Sequence, residues 1–178
     1  MALPAIHDFT VGEKLTAAIM DGLSAVDAFM LTASSTGRPA CHVTNSAVQS
    51  IGNAADTVLT FDTETFDPRG IHSTSSNTGR ITPNEQGLWL FAGGPSWAGN
   101  ATNERVCYVG KNGANPISGA NLAAGNAAIR AFSVIAFASM NGSSDYVQLY
   151  VFQNSGGSLN TSLTYGNPWF GGIWICGL

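Results

Sequence analysis

Charge is what this chain has least of. Lys, Arg, Asp and Glu make up 10% of its 178 residues, against roughly a quarter in an average globular protein. The seven basic residues are scattered rather than gathered in a stripe, and the net charge is −4, so an electrostatically driven nucleic-acid partner is excluded. Cysteine is scarce too. Cys41, Cys107 and Cys176 lie more than sixty residues apart, without the paired spacing of a zinc site or redox motif, and read as small buried apolar residues. No apolar run approaches the roughly 18 residues of a membrane-spanning helix. The opening MALPAIHDFTVGEK lacks the basic-then-apolar order of a secretion signal, so the expectation is a cytoplasmically made protein with no membrane partner. In that setting the sequons at Asn100, Asn141 and Asn160 carry no weight.

What is abundant points to a folded β protein. Apolar residues reach an ordinary 44%, which argues against disorder. Polarity comes from Asn, Ser, Thr and 21 glycines, a composition suited to many strands joined by tight turns. The length fits one core.

The N-terminal segment is the exception. Thr10-Val-Gly-Glu13 has capping-box form, and Leu15, Ile19, Leu23, Val26 and Met30 follow at steps of four, four, three and four, one stripe of a 3.6-residue helix. The helix should end near Ser34, before Gly37 and Pro39. Residues 1–36 then form a helical anchor or stem whose stripe packs either on the rest of the domain or on copies of itself or another protein. Beyond Pro39 short β-type runs alternate with turn residues. Strands are expected over Ala40 to Ser46, Thr57 to Phe61, Gly79 to Thr82, Leu88 to Trp97, Arg105 to Val109, Ile129 to Ala138, Tyr146 to Gln153 and Trp169 to Cys176, with the Ala-rich stretch Ala120 to Ala128 as a loop.

The residues bearing chemistry are isolated. His7, His42 and His72 have no metal-ligand neighbours at suitable spacing, no Gly-x-Ser-x-Gly elbow occurs, and the Gly93-Gly94 and Gly156-Gly157 pairs lead into no Lys-bearing helix. Asp56, Asp62, Glu64 and Asp67 form the one acidic concentration, but they lack the ladder of a calcium loop, and Asp62 and Asp67 read as turn caps. No catalytic residue, metal or cofactor is expected. Trp89, Trp97, Tyr150, Phe152, Trp169 and Trp174 read as core or interface residues, with a glycan-stacking face as the alternative.

The phrases TVLTFD at 57–62, RITPNEQGLWLF at 80–91, KNG at 111–113, SDYVQLYVFQNSG at 144–156 and the closing WFGGIWICGL resemble the trimeric jelly roll of the complement-head and tumour-necrosis-factor families. The corresponding residues are Phe61 and Asp62, Gly87 to Leu90, Asp145 to Val147, and Phe170 with Gly172. Ser144 stands where these families usually have Gly, and Ile173 where they have an aromatic. The resemblance covers residues 40–178 and implies an antiparallel jelly-roll β-sandwich head over 37–178, a homotrimer, and an interface strand presenting Phe170, Trp174 and Cys176 to the threefold axis, with Ile173 inside the sandwich. The phrase FTVGEKLTAAIMDGL at 9–23 is similar to openings of bacteriophage virion proteins. Together these imply a non-enzymatic phage structural protein on the virion surface, a capsid decoration or minor capsid protein whose helix docks on other virion proteins such as the major capsid protein. The alternative is a tail or head fibre tip binding a host surface polysaccharide.

Overall fold

The computed structural model describes residues 10–31, 37–123, 128 and 130–178. One helix, α1 (Ala17–Leu31), precedes the strands β1 (Ala40–Thr44), β2 (Ser50–Ile51), β3 (Thr57–Val58), β4 (Thr63–Phe66), β5 (Arg80–Ile81), β6 (Gln86–Gly94), β7 (Ser96–Trp97), β8 (Glu104–Lys111), β9 (Asn115–Ala123), β10 (Arg130–Ala131), β11 (Val134–Asn141), β12 (Val147–Gln153), β13 (Leu159–Asn160) and β14 (Trp169–Cys176). They form the antiparallel sandwich that the turn-rich composition called for. One sheet runs β11-β6-β14-β1-β4 and the other β3-β12-β8-β9, with β5 also on β12. The closing strand has the expected bounds. Others differ where the backbone is interrupted. Pro95 splits the expected Leu88 to Trp97 strand into β6 and β7, since proline has no amide to give a ladder. The loop expected at Ala120 to Ala128 is strand up to Ala123, and residues 124–127 lie outside the described residues. Its Ala and Asn residues suit an edge strand whose outer ladder faces solvent.

The core is built from alternate residues of both sheets. Phe170 stacks on Phe61 at 6.1 Å and lies 6.3 Å from Phe91, whose ring stacks on Trp89. Gly172 makes this possible, because a Cβ there would fall 2.6 Å from the Phe91 ring. Opposite lie Cys107, Val109, Val147, Leu149 and Val151, all inaccessible to solvent. Burial pushes the Cys41 and Cys107 thiols well up, which keeps them unreactive; all three cysteines are free.

The helix begins later than its capping box indicates. The Thr10 amide does donate to Glu13 Oε2 at 3.0 Å, but Glu13 N donates to the Thr10 carbonyl, closing a turn. Gly12 at φ +85° ends it, and Thr16 is the cap, its hydroxyl accepting from Ile19 N at 3.3 Å. Leu15 therefore stands outside the helix. Ile19, Leu23 and Val26 are half-buried, Met30 is exposed, and the buried residue is Phe29. Its ring meets Trp174 edge-on at 5.4 Å, tying the end of the helix to the head. The expected end near Ser34 and the 36/37 boundary fall outside the described residues.

Candidate functional site

The sheet β11-β6-β14-β1-β4 has its inner face in the core, and a half-wet antiparallel sheet should alternate apolar with polar. Its outer face is apolar instead. Across the strands Phe137 pairs Leu90, Leu90 pairs Ile173 and Ile173 pairs Ala40. Two residues along, Ile135 pairs Ala92, Ala92 pairs Gly171, Gly171 pairs His42 and His42 pairs Phe66. Phe137, Ile135 and Phe66 are 63%, 60% and 46% exposed. The His42 imidazole stacks between Trp169 at 5.6 Å and Phe66 at 6.1 Å, with Nδ1 3.0 Å from Thr65 Oγ1. A shallow hollow of about 220 Å³ runs between Phe66, Leu90, Trp169 and Ile173. Five strands at about 4.8 Å spacing and about five residues of length give a face on the order of 400 Å², within the range of the largest apolar patches on monomers, which are commonly functional.

This arrangement reverses the register expected for the closing strand. Phe170 and Trp174 belong to the core, at 0% and 4% exposure, while Ile173, half-buried, and Ile175, exposed, point outward. Phe170 turns in because it completes the aromatic stack with Phe61 and Phe91. Trp174 turns in because Phe29 covers it and its indole N–H donates to the Gln86 carbonyl at 3.0 Å. Gly87, at φ +145°, leaves room for that indole. Cys176 lies beyond an irregularity between Trp174 and Cys176 and is exposed. The reading of this strand as apolar in both registers holds. The same double-apolar pattern in Val134-Ile135-Ala136-Phe137-Ala138 and in Leu88 to Ala92 was the available signal for the rest of the face.

The acidic concentration is spent on protein partners. Asp67 accepts from the amides of Ile71 and His72 at 3.1 and 2.8 Å. Asp62 accepts from Ser46 N and Oγ at 2.8 and 2.7 Å, which holds its carboxyl below the usual range. Glu64 meets His72 Nδ1 at 3.0 Å. Asp67 thus caps its own turn, whereas Asp62 holds the distant loop at Ser46 rather than a turn of its own, and among the described residues no group of three His, Cys, Asp or Glu is placed to hold a metal. Of the aromatics, Trp89, Trp97, Tyr150 and Trp174 are buried, and Trp169 lies on the outer face.

The two antiparallel sheets and their strand order make a jelly-roll β-sandwich, and solved jelly-roll domains superpose on it. The globular domain of zebrafish complement 1qA superposes with a TM-score of 0.61 at 17% identity, covering 79% of this chain and 99% of that one. Murine APRIL at pH 5.0 gives 0.59 at 10%, covering 78% and 99%, and Eiger TNF from S. frugiperda 0.52 at 10%, covering 79% and 94%. No protein-family model and no curated protein sequence matches the chain.

Proposed function

We propose that the protein is a non-catalytic structural head that assembles as a homotrimer through the outer face of β11-β6-β14-β1-β4. The observation carrying this reading is the uncharged apolar face centred on Leu90 and Ile173, which a soluble monomer would leave in water. Likeness of fold to the complement-head and tumour-necrosis-factor domains supports closure with threefold rather than twofold symmetry. The helix leaves Met20 and Leu31 exposed, and Leu15 just before it is exposed too, apolar groups suited to docking on another protein. The similarity of residues 9–23 to phage virion openings supports a place on the virion surface as a decoration or minor capsid protein, with the helix inward and the jelly rolls outward.

Light scattering behind size exclusion tests the assembly. A mass of about 55 kDa, three times 18.4 kDa, is expected, and a monomer at micromolar concentration overturns it. Gold-labelled antibody to this chain on purified phage particles tests the location. Many labels over the head are expected; labelling of the tail tip alone would move the protein to a fibre.

A further inference from the structure

Beyond the end that Phe29 anchors, the helix stands away from the head. Among the described residues α1 runs alongside no strand, and a Cβ on Gly22 would meet nothing within 4 Å. Phe29 is its buried residue. A helix of 15 residues is marginal in water without packing, and a glycine inside it weakens it further. The helix therefore needs a partner that its own head does not supply.

The order of its apolar residues indicates which. Written as heptads abcdefg, Leu23 and Met30 fall at a and Ile19 and Val26 at d, alternating as a seam between helices requires. Asp21, Ser24 and Asp27 all fall outside a and d. Ile19, Leu23 and Val26 are only half-buried and Met30 is 38% exposed, so one chain leaves the seam incompletely covered. Phe29 falls at g, about a quarter-turn round the helix from the middle of the seam, and its contact with Trp174 leaves the seam free. Leu at a with a β-branched residue at d favours three or four helices over two. The anchor point agrees with three. Trp174 belongs to β14, the middle strand of the sheet β11-β6-β14-β1-β4, and its neighbours Ile173 and Ile175 point onto the outer face. Three copies closed on that face bring three helix ends toward one axis. We infer that the three α1 helices of the trimer pack on one another as a short parallel bundle, with Ile19, Leu23, Val26 and Met30 inside it. This inference rests on the homotrimer proposed above. Two heptads are too few to hold three chains together unaided, so the heads assemble the trimer and supply the helices at high effective concentration. Met20 at e and Leu31 at b stay outside the seam, free for another protein.

The test puts a soft ligand into the seam of the full chain. In a Cys176→Ser background, which removes the exposed thiol, Val26→Cys brings three thiolates together inside the bundle, whereas Ser24→Cys places them on its outside. Titration with cadmium should show one ion bound per three chains of Val26→Cys, with a thiolate charge-transfer band in the ultraviolet, and none bound by Ser24→Cys. Hydrogen exchange gives a second readout without a metal. Leu23→Asp should release the amides of residues 19–30 to fast exchange while the head stays folded and the mass stays that of a trimer. Light scattering on the same samples separates the two readings. A trimer in which Val26→Cys binds no more cadmium than Ser24→Cys, or in which Leu23→Asp leaves exchange of the helix unaltered, overturns the bundle alone; a parent chain that is a monomer overturns the trimer and the bundle together.

Discussion

Asp145 precedes β12, in the position the family resemblance singled out, and its carboxylate gathers three donors from two turns. Lys111 Nζ lies at 2.9 Å, Asn112 Nδ2 at 2.8 Å and the Asn141 amide at 3.0 Å. The bonds from Asn112 and Lys111 hold its carboxyl below the usual value of 3.8. A carboxylate lowered by folding contributes stability that is complete above its ordinary value and lost as pH falls through the lowered one. Asp145→Ala should therefore cost about 1.5 to 3 kcal/mol near neutrality, and its stability should fall less steeply than the parent's below about pH 4. Urea melts across that range check both. Gly172 works by the absence of a side chain. Its missing Cβ is the space in which Phe91 lies, so Gly172→Ala must displace a ring buried on all sides. The expected cost is about 1 to 3 kcal/mol, read as a lower urea midpoint with unchanged slope. This glycine was legible as part of a Phe-x-Gly phrase, but its purpose was not, because it depends on a ring 81 positions away in sequence.

Among the elements, the helix and the closing strand show what periodicity can and cannot tell. The spacing of apolar residues located the helix and most of its half-buried stripe. It placed Met30 on the stripe and not Phe29, whereas Phe29 is the residue that meets the sheet, because the position of Trp174, distant in sequence, decides between them. Phe29→Ala should expose the Trp174 edge and cost about 3 kcal/mol or more if the helix end is held as firmly as the core; a change under about 0.5 kcal/mol would show that the helix is carried rather than packed. In the closing strand the alternation was plain, and the choice of face was not, because Phe170 and Trp174 on one side and Ile173 and Ile175 on the other are all apolar. The aromatic stack with Phe61 and Phe91 makes that choice, and those partners are distant in sequence. The consequence is a pair of opposite outcomes. Trp174→Arg places a charge in the core beneath Phe29 and should prevent cooperative folding. Ile173→Arg places one on the outer face and should leave a folded chain that is monomeric by light scattering. If Trp174→Arg folds and dissociates while Ile173→Arg unfolds, the register assigned to β14 is wrong.

For the molecule as a whole, fold class could be read from turn-rich composition and family-like phrases, whereas the outer face could not be assembled from any one segment. Phe66, Leu90, Phe137 and Ile173 come from four strands, and only the pairing β11-β6-β14-β1-β4 brings them together. A face of this kind associates by removing apolar surface from water, at about 25 cal/mol per Å², with no ion pair among the residues that form it. Two dependences follow for the proposed trimer. Because only the folded chain has the face, association adds to stability by mass action, and the melting temperature should rise with protein concentration. Because the face is uncharged, the mass should stay near that of the trimer from about 0.05 to 1 M sodium chloride, over which the Debye length shrinks from more than 10 Å to about 3 Å; sulfate should strengthen the assembly. Ile173→Arg should abolish the concentration dependence while retaining a cooperative melt. A trimer that dissociates in sodium chloride but not on Ile173→Arg would show that charged surface elsewhere holds the subunits together, and would leave the apolar face without its partner.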